Sequence, residues 1–131
     1  GAALKRKGFW SIEKVYNIFP ILKELHHLPS TALSGGQQQM LAIGRALMSN
    51  PEIILFDEIS LGLAPIIIKN IYKVLPSIVK DGMSAIIIEQ DITKAIQNSN
   101  HIYCLQEGKI SLDSNSSSIS QEEITKAYFG I

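Results

Sequence analysis

The sequence lacks the features that would favour insertion into a membrane or binding to nucleic acid. No apolar stretch approaches the roughly 18 residues that a membrane-spanning helix requires. The 12 basic residues balance the 12 acidic ones, so the composition does not favour a polyanionic partner. Cys104 is the only cysteine, which excludes a disulfide within the chain and fits a reducing compartment.

The remaining composition predicts one folded domain. Apolar residues make up 46% of the 131 residues, which is typical of soluble globular proteins with a core of their own. Apolar residues follow a helical spacing through residues 10–25, where Pro20 is expected to break or kink the helix. A second helix is predicted from Ser34 to about Ser49, with Ser34 as its N-cap and Asn50-Pro51 as its stop signal.

Two short apolar strands indicate the fold class. Ile53–Asp57 and Ser84–Glu89 each end in a carboxylate, and their uninterrupted apolar runs predict burial on both faces of a parallel sheet. Pro65 is expected to open a helix between them. A strand, a helix and a second strand at this spacing form a βαβ crossover, which predicts an α/β fold.

Later elements are predicted with less regular patterns. The helix after Pro65 should run towards Lys80 and close at Asp81-Gly82, although Pro76 predicts a kink or an early stop near Leu75. The remaining predictions are a helix from Asp91 to about Asn98, strands at His101–Gln106 and Lys109–Asp113 joined by a hairpin turn at Glu107-Gly108, a loop at Ser114–Ser118 and a helix at Ser120–Phe129.

Two places in the chain are suited to a phosphate ligand. Ser34, Gly35 and Gly36 begin a helix with little side-chain cover, so its first N–H groups and its dipole can attract an anion, although an ordinary capped helix would begin in the same way. Asp57 and Glu58 stand where the first strand ends, which is the edge at which open α/β sheets bind ligands. A structural turn would also accommodate two such acids, so neither place is specific by itself.

The two places together are far more specific. Leu33-Ser34-Gly35-Gly36-Gln37, a helix with Gly44-Arg45-Ala46-Leu47, then Asn50-Pro51 and a strand ending in Asp57-Glu58 resemble the ATP-binding-cassette family in order and spacing. The resemblance implies the C-terminal part of a P-loop NTPase domain: a parallel sheet with flanking helices, a C-terminal β-hairpin and a small N-terminal helical subdomain. By that resemblance residues 1–33 belong to the helical subdomain and residues 34–131 to the ATPase core.

The resemblance also implies the ligands, ATP and Mg²⁺, and the roles of individual residues. Asp57 would hold Mg²⁺ through water, and Glu58 would be the catalytic base. Gln90 stands where most of the family has a histidine that contacts the γ-phosphate. The implied contacts to the γ-phosphate of ATP held by the opposite subunit come from Ser34, Gly35, Gly36 and Gln37, and those across the subunit interface come from Ser60, Leu61, Gly62 and Leu63.

Finer similarities indicate a subfamily. Residues 38–48, Ser60–Pro65 and Glu89-Gln90 look like the ATPases of branched-chain amino acid importers. This likeness implies ATP hydrolysis coupled to solute import, a second identical or paralogous ATPase subunit, membrane permease subunits, no nucleic acid, and a peripheral position on the cytoplasmic face of the cell membrane. Ile59 departs from the proline that the family usually has after the glutamate, which is expected to loosen the turn that carries Glu58.

One motif of the family does not occur in these 131 residues. The phosphate-binding loop, Gly-x-x-x-x-Gly-Lys-[Ser/Thr], is absent, and the first residue is Gly1 instead of Met. The Gly1 start is expected of a fragment, a processed product or an excised domain. By the resemblance, the absent loop predicts a C-terminal part that supplies half of each composite site and is inactive when isolated. Two alternatives remain open: a fragment of an ATP-binding-cassette protein that does not act in transport, and a non-catalytic interaction module.

Overall fold

The computed structural model of this chain describes residues 8–79 and 82–130. Its helices and strands are α1 (Ile12–Ile18), α2 (Pro20–Glu24), α3 (Gly35–Leu47), β1 (Ile53–Asp57), α4 (Pro65–Val79), β2 (Ser84–Ile88), α5 (Ile92–Asn98), β3 (His101–Gln106), β4 (Lys109–Asn115) and α6 (Gln121–Phe129), with 3₁₀ turns at Ser30–Ala32 and Ser116–Ser118. The chain divides into two compact units, one up to Ile86 and one from Ile87 onwards. The predicted α/β class is confirmed.

The first helical region is broken where the sequence predicts it. Ser11 caps α1, since its Oγ accepts a hydrogen bond from the Lys14 N–H at 3.4 Å. Phe19 leaves the helical conformation, and Pro20 is the first residue of α2. Proline is favoured at that position because the first N–H of a helix has no partner within the helix. Phe19 is buried and anchors the break.

Helix α3 contributes several side chains to the core of the first unit. Met40, Ile43 and Leu47 form its buried stripe, as predicted. Helix α1 lies against it at Gly44, where a side chain would have no room, because a Cβ there would stand 2.7 Å from Cγ1 of Val15. Gly44 therefore sets the distance between α1 and α3.

A side chain links the end of α3 to the segment before α1. The Trp10 N–H donates to Oδ1 of Asn50 at 2.6 Å, and Nδ2 of Asn50 donates to the Trp10 carbonyl at 3.2 Å. Asn50 has a positive φ of 49°, a conformation that asparagine tolerates better than most residues. The predicted stop signal thus also makes a tertiary contact.

Strands β1 and β2 form a two-stranded parallel sheet, in which the Ser84 N–H donates to the Glu52 carbonyl at 2.9 Å. The prediction that both faces are buried is wrong for the described chain. Ile54 and Phe56 are buried, but Ile53 and Leu55 on the opposite face are 58% and 67% exposed. Side chains alternate between the two faces of a strand, and the elements described here cover only one of them.

Helix α4 continues past its internal proline. It runs from Pro65 to Val79 with Pro76 inside, so of the two predicted outcomes, a kink or an early stop near Leu75, the early stop does not occur. Pro76 is exposed, whereas Leu75 and Ile78 are buried on the core side, and this burial offsets the cost of the lost helical hydrogen bond. The predicted end at Lys80 and Asp81 lies outside the described residues.

The second unit is a hairpin covered by α6. Strands β3 and β4 pair antiparallel, with Cys104 opposite Leu112 and a shift in register between Cys104 and Leu105. Ile102 and Cys104 are buried with Ile124 of α6. The predicted loop at Ser114–Ser118 is wrong in part, because Ser114 and Asn115 extend β4 opposite Ile102 and His101. Pairing across the hairpin outweighs the weak strand preference of serine and asparagine. Among the described residues, no helix is long and apolar enough to cross a membrane.

Candidate functional site

The start of α3 is closed by a reciprocal pair of hydrogen bonds. Oγ of Ser34 accepts from the Gln37 N–H at 3.4 Å, and Oε1 of Gln37 accepts from the Ser34 N–H at 2.9 Å. The Gln38 N–H donates to the Ser34 carbonyl. No hydrogen bond to the N–H groups of Gly35 and Gly36 is present in the described part of the chain. The first turn has no acidic residue, so its positive dipole end is not compensated by a side chain.

The two glycines of this turn have different surroundings. Gly35 is exposed, and a Cβ on it would lie at an ordinary 3.8 Å from Cδ2 of Leu63. Gly36 is buried, and a Cβ on it would stand 2.6 Å from Cγ2 of Ile67. Gly35 therefore keeps its backbone open to a ligand, whereas Gly36 is needed for the close approach of the first turn of α4.

The loop after β1 carries the two predicted carboxylates. Asp57 is exposed at the strand end, and Glu58 is half-buried with a positive φ of 47°. The Leu61 N–H donates to the Glu58 carbonyl at 2.9 Å, which closes a tight turn directly after the strand. Gly62 supplies a second positive φ of 72°, and Leu61 is 72% exposed.

The structure brings one residue of the loop after β1 close to the start of α3. The loop that follows the acidic end of β1 passes the start of α3 in space at Leu63. A Cβ on Gly35 would lie 3.8 Å from Cδ2 of Leu63. Gln90 belongs to the second unit, where it is an exposed residue directly before Asp91, the N-cap of α5. The exposed loop that follows the two carboxylates therefore approaches the start of α3 at Leu63.

These residues do not form a complete metal centre. In residues 8–79 and 82–130 there is no group of three or more His, Cys, Asp and Glu side chains that could hold a metal ion. A single carboxylate such as Asp57 suits Mg²⁺, which keeps several waters and takes substrate phosphate oxygens as ligands. The donor set thus fits Mg²⁺ bound together with a nucleotide, and it does not fit a metal held by this chain alone.

Sequence reasoning missed one contributor to this region and gave another a different role. Ile67, which packs onto Gly36, was not anticipated. The sequence predicts that Ile59 loosens the turn that carries Glu58, whereas the structure buries Ile59 with only 4% of its surface exposed. A signal for the first was present, because a glycine pair at a helix start indicates close approach of another chain segment as well as of an anion. No local signal indicated the burial of Ile59, since a single apolar residue between Glu58 and Ser60 is also typical of a surface turn.

The chain is similar to proteins of one family. A family model described as ABC transporter matches residues 5–60. A high-affinity branched-chain amino acid transport ATP-binding protein, BraG of Pseudomonas aeruginosa, is 40% identical over 120 residues, which cover 91% of this chain and 52% of that protein. The chain spans about half or less of the length of the curated relatives it matches.

Solved structures give the same likeness. The ADP conformation of MJ1267, an ATP-binding cassette of an ABC transporter, is 33% identical with a TM-score of 0.65, covering 95% of this chain and 49% of that one. A dimeric, post-hydrolysis state of the cassette MJ0796 with ADP and Pi bound is 28% identical with a TM-score of 0.62, covering 88% of this chain and 53% of that one.

Proposed function

Because this chain belongs to the ATP-binding-cassette ATPases of the ABC transporter family, we propose that it serves in a subunit that hydrolyses ATP to drive uptake of branched-chain amino acids or similar solutes. The observation that carries the proposal is the approach of Leu63, in the loop that leaves the acidic end of β1, to the open backbone of Gly35 at the start of α3. Residues 1–33 would belong to the helical subdomain and residues 34–131 to the ATPase core.

The start of α3 would bind the γ-phosphate of ATP held by a second subunit. The exposed Gly35 N–H can donate to a phosphate oxygen, and the helix dipole adds positive potential there. The hydroxyl of Ser34 accepts from Gln37 and still has its own hydrogen to donate to the phosphate. Gly36 and Gln37 would hold this turn in shape, Gly36 through its contact with Ile67 and Gln37 through its bond to the Ser34 N–H.

The carboxylates would act on the nucleotide of their own subunit. Asp57 would hold Mg²⁺ through water, and the bound Mg²⁺ supplies positive charge that neutralises the phosphate oxygens. Glu58 would orient the attacking water and accept its proton, and Gln90 would donate a hydrogen bond to the γ-phosphate. Because the side chain of Gln90 is a neutral amide, it cannot itself carry the proton.

The partners follow from this arrangement. A second ATPase subunit, identical or paralogous, would complete each nucleotide site, with Ser60, Leu61, Gly62 and Leu63 at the interface. The high exposure of Leu61 supports an interface role for this loop. Membrane permease subunits would place the assembly on the cytoplasmic face of the cell membrane.

A chimera tests the proposal directly. This chain would replace the matched segment of the Pseudomonas aeruginosa relative, in a strain that lacks that relative, and uptake of labelled leucine and ATP hydrolysis would be measured. We expect both activities with the chimera, and we expect neither with a Glu58→Gln chimera of equal abundance. A folded chimera without ATP hydrolysis, or an unimpaired Glu58→Gln variant, would reject the proposal.

Purified residues 1–131 provide the complementary experiment. We expect no detectable ATP turnover, because this chain has no phosphate-binding loop to hold the α- and β-phosphates. ATP hydrolysis by the purified chain that Glu58→Gln abolishes would contradict the proposal of a composite site.

A further inference from the structure

The loop after β1 has a single buried side chain. Asp57, Leu61 and Gly62 are exposed, and Glu58 and Ser60 are half-buried. Ile59 is the exception, with 4% of its surface exposed. The loop therefore joins the core of the first unit through Ile59, while Glu58 and Ser60 on either side of it are only half-buried.

The backbone of Glu58 is held in an unfavourable conformation. Its φ of 47° lies in the left-handed region, where a residue with a Cβ meets its own backbone. Such a conformation persists only where the surrounding structure determines it. Two features around Glu58 do so: the Leu61 N–H donates to the Glu58 carbonyl at 2.9 Å, and the next side chain, Ile59, is locked in the core.

We propose that Ile59 is a positioning residue for hydrolysis, whose buried side chain holds Glu58 in the left-handed conformation that directs its carboxylate. The proposal rests on the proposed role of Glu58 as the base. The direction of the Cα–Cβ bond of Glu58 is set by its backbone angles, and these are set by the peptide that joins it to the fixed Ile59. A base that is misaligned with the attacking water loses rate in the chemical step, whereas the binding of ATP is unaffected.

Steady-state kinetics of ATP hydrolysis by the chimera test the positioning role of Ile59, with kcat calculated per folded molecule. Ile59→Ala should lower kcat at least about tenfold and leave the KM for ATP within about twofold, since the loop loses its anchor. Ile71→Ala is the matched control, because Ile71 is a similarly buried isoleucine of the same unit, on α4 and outside the candidate site. It should lower the Tm to a similar extent without changing kcat.

Two further variants separate anchoring from simple loss of volume. Ile59→Val keeps a branched apolar side chain and should retain kcat within about threefold. Ile59→Asn keeps much of the side-chain volume but not its apolar character, and it should lower kcat at least as much as Ile59→Ala, because a polar side chain without a partner is disfavoured in the core. In labelled chimera, Glu58 should show the strong intraresidue HN–Hα NOE of a positive φ, and this signal should weaken in Ile59→Asn.

The outcomes distinguish this inference from the function on which it rests. An unimpaired Glu58→Gln chimera would reject the role of Glu58 itself. An inactive Glu58→Gln chimera together with equal kcat values for Ile59→Ala and Ile71→Ala would reject only the positioning role of Ile59. A fall in kcat with Ile71→Ala as large as that with Ile59→Ala would also reject it, because general destabilisation would then explain both.

Discussion

Helices α3 and α6 begin with the same cap but have different residues behind it. Ser34 and Ser120 each accept a hydrogen bond from the N–H three residues later, and the side chain of that residue bonds back to the serine N–H. In α3 the residues after the cap are Gly35-Gly36-Gln37, with no acid in the first turn. In α6 they are Gln121-Glu122-Glu123, so two carboxylates stand at the positive end of the helix dipole.

The difference shows what makes a helix start available to an external anion. A capping box stabilises either helix by satisfying two backbone N–H groups. The acids of α6 also compensate its dipole from within the chain, and a bound anion would be repelled there. The glycines and the neutral glutamine of α3 leave its dipole uncompensated. A serine cap alone therefore does not distinguish the two helix starts, whereas the charge and size of the next three residues do.

The largest effect on stability is expected from replacing Gly36, which is buried, in comparison with Gly35, which is exposed. Gly36→Ala should lower the free energy of unfolding by about 1–3 kcal/mol, because its Cβ would collide with the branched Cγ atoms of Ile67. Gly35→Ala, one residue earlier and in open contact with Leu63, should change it by less than about 1 kcal/mol. Urea denaturation of the chain measures both. Equal losses would show that Gly36 has no packing role.

Exchanging the acids between the two helices tests the comparison most directly. Gln37→Glu gives α3 the acidic first turn of α6, and it should lower ATP hydrolysis by the chimera at least about tenfold through repulsion of the phosphate. The capping box and the Tm should be retained. Glu123→Gln is the matched change in α6 and should leave hydrolysis unchanged. Loss of activity in both variants would argue against a specific anion site at α3.

Removing each cap separates a shared structural role from a functional one. Ser34→Ala and Ser120→Ala should each lower the free energy of unfolding by about 1 kcal/mol, since each leaves one N–H without its acceptor. Only Ser34→Ala should also raise the KM for ATP of the chimera. The hydrogen bond from Ser120 lowers the pKa of the Glu123 carboxyl below 4.5. The ionised Glu123 carboxyl therefore contributes fully to the stability of α6 above pH 4.5, and this contribution is lost as the pH falls through the lowered pKa.

The smallest effect is expected at a charged pair within the second unit. Asp113 Oδ1 lies 2.6 Å from Nε2 of His101, and this hydrogen bond, with a second one from Nδ1 of His101 to Oδ1 of Asn115, raises the pKa of His101 above 6.5. The stabilisation is therefore complete below the pKa of the unfolded histidine and is lost as the pH rises through the raised value. An NMR titration should show a lower His101 pKa in Asp113→Asn. An unchanged pKa would exclude this pair as the cause.

Much of this fold follows from local sequence, because local rules decide its helix ends. Ser34, Pro20 and Asp91 act through neighbours within four residues, so the starts of α3, α2 and α5 were predictable. The continuation of α4 through Pro76 was not, because it depends on what Leu75 and Ile78 bury. The extension of β4 to Asn115 depends in the same way on β3, which no local pattern in a serine-rich segment reveals.

The residues of the candidate site also fall into two groups, those that local sequence indicates and those that only tertiary packing reveals. Ser34, Gly35, Asp57 and Glu58 could be proposed from residue type and order, since each stands at an element end that sequence patterns mark. The packing of Ile67 on Gly36 and the burial of Ile59 could not, because they depend on which segments of the folded chain meet. Sequence therefore indicates which groups could face the ligand, and the structure adds the groups that hold them.

The two buried glycines of α3 have a mechanical consequence. Ile67 contacts the helix at Gly36 and Val15 contacts it at Gly44, with about 12 Å of helix between them at 1.5 Å per residue. An α-helix resists stretching and compression along its axis, so α3 would behave as a rigid rod between these two contacts. A displacement of about an ångström that a bound phosphate imposed at one end would reach α1 at nearly its full amplitude.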